Sequence, residues 1–138
     1  MNEFNGAKAA LYFENNLVVY LRDNKPEIPF PNTWDFPGGR REGDESPFEC
    51  VARETQEEFG ILLTPTQIIW KKTYPSIHDP SKDSCFFVAR ATKEQIDNIV
   101  FGDEGQWWRF MDPQKFLDST NAVPYLQEYL AEFMAEAA

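Results

Sequence analysis

Three glutamates, Glu54, Glu57 and Glu58, stand close together along the chain. In a helix, residues three and four positions apart share a face, so this spacing would bring the three carboxylates together. Like charges at this spacing repel one another by roughly a few tenths of a kcal/mol per pair. A divalent cation would relieve that repulsion, because hard carboxylate oxygens suit Mg²⁺ or Mn²⁺. Taken alone, the pattern is more typical of a solvated helix face, so the residues around it decide between the two interpretations.

The residues around the glutamates favour chemistry over a solvated face. Arg53 lies four positions before Glu57 and can hold a carboxylate in a fixed orientation through charge-assisted hydrogen bonds. Upstream, Gly38 and Gly39 form a pair that permits unusual backbone angles and the close approach of N–H groups to an anionic ligand. A glycine turn and a helix with clustered acids therefore follow one another closely along the chain.

The glutamates fall within a well-marked helix. Ser46 is predicted to cap it, Pro47 to open it, Glu49 to complete an S-x-x-E capping box and Gly60 to end it. At about 100° per residue, five side chains form a stripe that we expect to be buried: Phe48, Val51, Ala52, Thr55 and Phe59. The acidic face lies roughly 130° from this stripe, so we expect it to contact solvent.

The rest of the chain predicts a layered arrangement of strands and helices. A hairpin is expected from strands at 7–14 and 17–22, turning at Asn15–Asn16, with a proline-rich loop at 25–37. Further strands are predicted at 67–74, 84–91 and 106–110, and helices at 112–117 and 123–134. Strands followed by helices in this order indicate an α/β or α+β domain.

Composition limits the class of protein. A chain of 138 residues with 42% hydrophobic content fits one domain with a packed core, 1–138. No apolar run is long enough for a membrane helix, and the start MNEFNG resembles no secretory signal. Two cysteines, Cys50 and Cys85, form no disulfide framework, so we expect a cytoplasmic location and unreactive thiols. A net charge of −10 argues against nucleic-acid polymers as partners, although a small phosphorylated ligand remains possible if cations accompany it.

The spacing of the charged residues and glycines resembles the Nudix box, G-x5-E-x7-R-E-U-x-E-E-x-G-U. The match covers residues 39–61 and fills every charged and glycine position of the pattern, with these residues: Gly39, Glu45, Arg53, Glu54, Glu57, Glu58 and Gly60. The preceding segment, 34–38, is similar to the lead-in of MutT-like members. The departure is Thr55, where the family prefers a bulky aliphatic residue, which affects local packing more than chemistry.

The resemblance implies an α/β/α sandwich with a mixed sheet, and a hydrolase of a nucleoside diphosphate linked to another group. It implies Mg²⁺, with Mn²⁺ as a substitute, held by carboxylates of the box. By position, Glu54, Glu57 and Glu58 would be metal ligands or the general base, with the base left unassigned. Arg53 would orient a carboxylate, and Gly39 would belong to the metal-binding turn.

Residues outside the helix complete the set of candidates. Members of the family often add an acidic residue from a later loop, and Glu104, beside Asp103, is the candidate here. Cations available for phosphate oxygens include Arg22 and Arg40, and Trp107 could stack on a base. The glycine pair 38–39 would contribute backbone N–H groups to the substrate.

The MutT-like lead-in favours a nucleoside triphosphate cut to monophosphate and pyrophosphate. A nucleotide sugar or an ADP-ribose-like substrate is the alternative within the class, and a nucleotide-binding sensor without turnover is the alternative outside it. Substrate choice in this family lies in loops outside the box, here 24–33, 75–83 and 102–106. The oligomeric state is expected to be a monomer or a homodimer.

Overall fold

The computed structural model describes residues 3–137. Met1 and Asn2, which begin the segment predicted not to be a secretory signal, lie outside the described residues, as does Ala138. Seven strands and four helices are formed within this range. The strands are β1 (Phe4–Phe13), β2 (Asn16–Leu21), β3 (Trp34–Asp35), β4 (Gly38–Arg40), β5 (Ile68–Pro75), β6 (Asp83–Arg90) and β7 (Trp108–Met111). The helices are α1 (Pro47–Phe59), α2 (Lys93–Asp97), α3 (Pro113–Asp118) and α4 (Pro124–Ala137).

The strands form one mixed sheet built around β1. Its main order is β3-β2-β1-β6-β5, with β4 paired to β1 and β7 paired to β2. The β1–β6 pair is parallel and the other pairs are antiparallel. Because β1 pairs with β2 along one half and with β4 along the other, the strand that carries the glycine pair is fixed to the centre of the sheet.

Helices cover both faces of the sheet, which confirms the predicted α/β/α arrangement of an α+β domain. Alternate residues of a strand point to opposite faces, and β1 illustrates the division. Ala10 packs with the core beneath α3 and α4, which includes Phe116 and Leu126. The neighbouring Ala9 and Leu11 pack on the other face, in clusters that contain Val51 and Phe59 of α1.

Helix α1 begins and ends where the sequence predicts. The Ser46 side chain accepts a hydrogen bond from the Glu49 N–H, and the Glu49 carboxylate accepts one from the Ser46 N–H. Gly60 ends the helix in a left-handed conformation. Val51, Thr55 and Phe59 are buried as expected. The Thr55 hydroxyl donates to the Val51 carbonyl at 2.6 Å, so its polar group is satisfied inside the helix.

The structure corrects several details of the predicted elements. The hairpin turns one residue earlier than predicted, at Glu14–Asn15, because Glu14 adopts a left-handed backbone (φ 54°). Strands β3 and β4 and helix α2 were not predicted, since two or three extended residues and a five-residue helix have too short a periodic pattern. The other element bounds differ from the predicted ones by up to three residues.

No helix of the described residues is long and apolar enough to cross a membrane.

Candidate active site

Glu58 is the most deeply buried carboxylate on α1. It is 6% exposed, and its Oε1 accepts a hydrogen bond of 2.9 Å from the Gly38 N–H. This corrects the prediction that all three glutamates lie on a face open to solvent. Burial raises the pKa of Glu58 to about 8, although the Lys8 ammonium and the Gly38 N–H act in the opposite direction. The site therefore contains a carboxylate whose negative charge is poorly compensated.

Glu54 lies against the glycine turn on the same side of α1. A Cβ atom added to Gly39 would lie 2.6–2.8 Å from the carboxyl atoms of Glu54. Only a residue without a side chain allows this approach, because real Cβ contacts are essentially never so short. Burial also raises the pKa of Glu54, and the Arg53 guanidinium opposes the shift. Two partly desolvated carboxylates thus stand beside residues 38 and 39.

We expect Gly39→Ala to lower turnover by about 10- to 100-fold while the chain still folds. The new methyl group displaces the Glu54 carboxylate, and a misplacement near 1 Å can cost about 100-fold. The backbone at this position has no positive φ, so alanine adds no strain of that kind. Gly43→Asn is the control, because nothing lies within 4 Å of its Cβ position and asparagine tolerates its left-handed backbone (φ 54°). Full activity in Gly39→Ala would mean that the position of Glu54 is unimportant.

Glu57 differs from its two neighbours because its side chain is 57% exposed. Its carboxylate accepts from Arg53 Nη1 at 3.3 Å. Of the three predicted acids, this is the one that occupies the expected solvent-facing position.

Arg53 connects the helix to the loop that precedes it. Its Nε donates to Glu45 at 2.6 Å, its Nη1 to Glu54 at 3.0 Å and its Nη2 to the Arg40 carbonyl at 2.9 Å. The hydrogen bond to Glu45 is the largest of the effects that raise the pKa of Arg53. Individual ion pairs near the surface contribute little to stability. Several on one planar guanidinium fix the orientation of a carboxylate, as the sequence predicts.

The donor set suits a divalent cation such as Mg²⁺ or Mn²⁺. Glu54 and Glu58 supply hard oxygens, and the raised pKa of each indicates unbalanced negative charge. Within residues 3–137, no three acidic, histidine or cysteine side chains converge as a ready-made metal site. Arg53 contacts Glu54 through Oε1 and Glu57 through both oxygens, and each carboxylate has further lone pairs that could bind a cation.

A cavity of about 380 Å³ opens beside the same glycine turn. It meets the turn at Gly39 and Arg40, and Lys8, Arg22 and Asp35 contribute charged groups. The remaining residues are aromatic, aliphatic or small and polar: Asn5, Gly6, Ala7, Pro29, Phe30, Ser76, Ile77, His78, Ser84, Val123, Tyr125 and Tyr129. Its volume lies in the range of small-ligand pockets, about 300–1,000 Å³.

The proline-rich loop and helix α4 form the aromatic wall of this cavity. Phe30, from the proline-rich loop, has a left-handed backbone (φ 49°), which is rare for a bulky side chain. The Pro29 carbonyl accepts from Arg22 Nε at 3.0 Å, which anchors the loop. The Phe30 ring packs on Tyr125 with centroids 5.9 Å apart. Two of the three loops predicted to select substrate, 24–33 and 75–83, thus line the cavity.

A buried ionic cluster lies at the base of the cavity. Asp35 is 1% exposed, and its Oδ2 accepts from Arg22 Nη1 at 2.8 Å, Lys8 Nζ at 3.0 Å and the Tyr20 hydroxyl at 3.0 Å. Burial would raise the pKa of Asp35, but the two cations outweigh it and hold the pKa below its ordinary value. Asp35 is therefore an anion compensated by its neighbours, in contrast to Glu58.

The structure brings most of the predicted site residues to the glycine turn and the cavity beside it. Arg22, Gly39 and Arg40 line the cavity, and Gly38 donates to Glu58. Trp107 is 52% exposed and does not line this cavity. Glu104 is exposed on a loop that returns to α1, where the Gly102 N–H donates to the Glu58 carbonyl at 2.8 Å. The roles predicted for Glu104 and Trp107 stay predictions.

Sequence reasoning missed the cavity side of the site. Lys8 had a usable signal, because it is the one charged residue of β1, and a buried lysine needs partners. His78 is exposed and also lines the cavity. Tyr125 could not be identified from the sequence as a cavity residue, since an aromatic residue on an amphipathic helix is ordinarily part of the core.

Solved structures with the same architecture include several MutT-type folds. The crystal structure of the MutT protein from Methanosarcina mazei Go1 superposes with a TM-score of 0.74 at 21% identity, covering 99% of this chain and 96% of that one. A Caenorhabditis elegans Ap4A hydrolase complex gives a TM-score of 0.70 at 18% identity, with coverage of 96% and 97%. This chain therefore has the fold of that class of proteins.

The family follows from the sequence match. The family model of the NUDIX domain matches residues 5–133, so the chain belongs to the Nudix family. Similar curated proteins include the 8-oxo-dGTP diphosphatase of Proteus vulgaris, 44% identical over 55 residues, which are 40% of this chain and 47% of that protein. Another is the m7GpppN-mRNA hydrolase NUDT17 of Danio rerio, 33% identical over 76 residues, 51% of this chain and 25% of that protein. The matches thus span between a quarter and about half of these relatives.

Proposed function

We propose that this chain is a divalent-metal-dependent hydrolase of phosphoanhydride bonds. Its substrate is a nucleoside diphosphate linked to another group, in the first place a nucleoside triphosphate cut to monophosphate and pyrophosphate. The observation that carries the proposal is the buried Glu58, with its pKa raised to about 8, beside a glycine turn that opens into the cavity. A carboxylate in this environment favours a cation or a proton, which are the two partners that such hydrolysis requires.

The residues of the chain divide the chemistry between the two sides of the glycine turn. On the helix side, Glu54 and Glu58 would hold the cation, with Glu57 and Glu104 as further acids. When bound, Mg²⁺ or Mn²⁺ neutralises charge on the phosphates and lowers the pKa of a coordinated water. Phosphoryl transfer otherwise needs positioning and charge stabilisation more than covalent chemistry. Arg53 supplies the positioning, because it fixes Glu54 relative to the loop through Glu45.

On the cavity side, the chain offers a place for the rest of the nucleotide. Aromatic rings of Phe30 and Tyr125 suit the planar face of a base, and Arg22 and Arg40 suit negatively charged oxygens. The arginines on this side and the metal on the other would attract the phosphates, so that an acidic protein can bind an acidic substrate. Trp107 would contact only a part of the substrate that extends beyond this cavity.

The similarity to an 8-oxo-dGTP diphosphatase over 55 residues supports the triphosphate substrate. A nucleotide sugar or ADP-ribose remains the alternative substrate, and a nucleotide sensor without turnover remains the alternative function. The exposed surface acids and the expected cytoplasmic location agree equally with the triphosphate substrate, the alternative substrate and the sensor. A monomer or a homodimer would present the cavity equally well, because this site is formed within one chain.

A panel of nucleotides tests the proposal. With Mg²⁺ we expect nucleoside triphosphates to give monophosphate and pyrophosphate, and EDTA to abolish the reaction. Nucleotide sugars, ADP-ribose and dinucleoside polyphosphates are measured beside them, with product identity determined by chromatography. Turnover of ADP-ribose in preference to triphosphates would mean that the substrate is of the ADP-ribose type and not a nucleoside triphosphate. Nucleotide binding without any turnover would favour the sensor.

A further inference from the structure

Lys8 is an unusual residue for its position in the sheet. It lies on β1, and its side chain is 13% exposed although it carries a charge. Its ammonium has three oxygen acceptors: Asp35 Oδ2 at 3.0 Å, the Phe36 carbonyl at 3.3 Å and the Gly38 carbonyl at 3.4 Å. Three protons therefore meet three acceptors. Burying an ammonium is costly unless it is satisfied in this way.

Lys8 and Arg22 both compensate the charge of Asp35, so this carboxylate would keep a cationic partner and neutral donors without Lys8. Arg22 pairs with the same carboxylate at 2.8 Å, and two neutral donors, the Tyr20 hydroxyl and the Phe36 N–H, also bind it. What Lys8 adds is the pair of contacts to the carbonyls of Phe36 and Gly38. These contacts attach the chain segment 36–38 to the centre of the sheet.

The segment that Lys8 attaches carries the contacts to the acids of α1. The Gly38 N–H donates to Glu58, and Gly39 lies against the Glu54 carboxyl. Gly38 lies tightly against β1, where it pairs with Lys8, and a Cβ atom added to it would lie 2.2 Å from the Ala7 carbonyl oxygen. An outward shift of Gly38 is opposed by the hydrogen bond from Lys8. One side chain at the base of the cavity thus restrains the backbone that positions both acids.

We propose that Lys8 is a positioning residue, whose ammonium holds the Phe36 and Gly38 carbonyls so that the glycine turn keeps Glu54 and Glu58 in place for catalysis. The inference rests on the proposed function, in which these two acids act in the reaction. It differs from a substrate contact, because every proton of the ammonium already has an acceptor in the protein. Its effect should therefore fall on kcat and on the local backbone more than on KM.

Amide hydrogen exchange in the metal-free protein measures the restraint directly. In Lys8→Met we expect the Gly38 amide to exchange at least about 10-fold faster, while the core amide of Val88 keeps its protection. In the presence of Mg²⁺ we expect kcat to fall about 10- to 100-fold and KM to change by less than about threefold. Lys71→Met is the matched control, since Lys71 is an exposed lysine of β5 outside the site. It should leave the exchange of both amides, kcat and KM unchanged.

Several results would overturn the proposal. One is unchanged Gly38 exchange with unchanged kcat, and another is a rise confined to KM, which would make Lys8 a substrate contact. If Lys8→Met does not fold, Lys8→Gln replaces it, because its amide can still reach one of the two carbonyls. In Lys8→Gln we then expect a smaller rise in Gly38 exchange and a smaller fall in kcat. Wild-type values of both in that variant would reject the positioning role of Lys8. A wild-type chain that hydrolyses no nucleotide would instead reject the proposed function and this inference together.

Discussion

Glu58→Gln is expected to lower turnover of the nucleotide substrate by about 1,000-fold without unfolding the protein. The double variant Glu57→Gln with Glu58→Gln is expected to abolish measurable hydrolysis. Glutamine keeps the shape of the side chain and an oxygen that can accept from the Gly38 N–H, but it removes the charge that would hold a cation. Loss of a group that acts on the reacting water typically costs about 10²–10⁴-fold. The fold survives because a neutral side chain is easier to bury than a carboxylate.

Steady-state kinetics with Mg²⁺, together with circular dichroism, measure this result. Glu128→Gln is the control, because Glu128 is an exposed glutamate on α4, away from the glycine turn. Wild-type kcat in the double variant would remove the acids of α1 from the mechanism. Loss of the folded state in Glu58→Gln would show that the buried charge is structural.

The metal-free protein is expected to lose stability as the pH rises from about 6 to 8.5. The pKa of Glu58 is about 8 in the folded chain and has its ordinary value of 4.5 when exposed, so between these two pH values the folded state binds a proton that the unfolded state has released. Stability from this proton is complete below the unfolded pKa and is lost as the pH rises through the folded pKa. The free energy of unfolding should fall by roughly 1–3 kcal/mol over the range.

Chemical denaturation in EDTA at several pH values measures this dependence. Glu58→Gln should lose most of it, because the titrating group is gone. Mg²⁺ or Mn²⁺ should flatten it in the wild type, since the cation replaces the proton on the carboxylate. An identical pH dependence in wild type and Glu58→Gln would assign the titration to another group.

The helix that carries the acids was predictable from sequence almost to the residue. Ser46, Glu49 and Gly60 act through local hydrogen bonds and a local backbone angle, so their effect does not depend on the rest of the fold. Helical periodicity also placed Thr55 and Phe59 correctly in the core. The glycine turn and the acids beside it followed from the same segment.

The burial of Glu58 could not be predicted in the same way. Periodicity gives the angle of a side chain around α1, but it does not show which other backbone approaches that angle. Here the turn at Gly38 covers Glu58, and the turn is in place because β4 pairs with β1. A strand containing two glycines has no propensity signal, so its pairing depends on tertiary structure.

The cavity was unpredictable for a similar reason. It is formed where residues from the first strand, two loops and the last helix meet, among them Lys8, Phe30, His78 and Tyr125. Each of these residues has an ordinary structural explanation when taken alone. Only their proximity in the folded chain indicates a binding site.

The parallel pairing of β1 with β6 has a consequence for biosynthesis. The central strand β1 leaves the ribosome before its neighbour β6, which ends only at Arg90. Until then one edge of β1 lacks its native strand, and such open edges promote association between nascent chains. Formation of the sheet from contacts so distant along the chain is intrinsically slow. Translation speed through residues 83–90 is therefore a variable that should influence the yield of native protein.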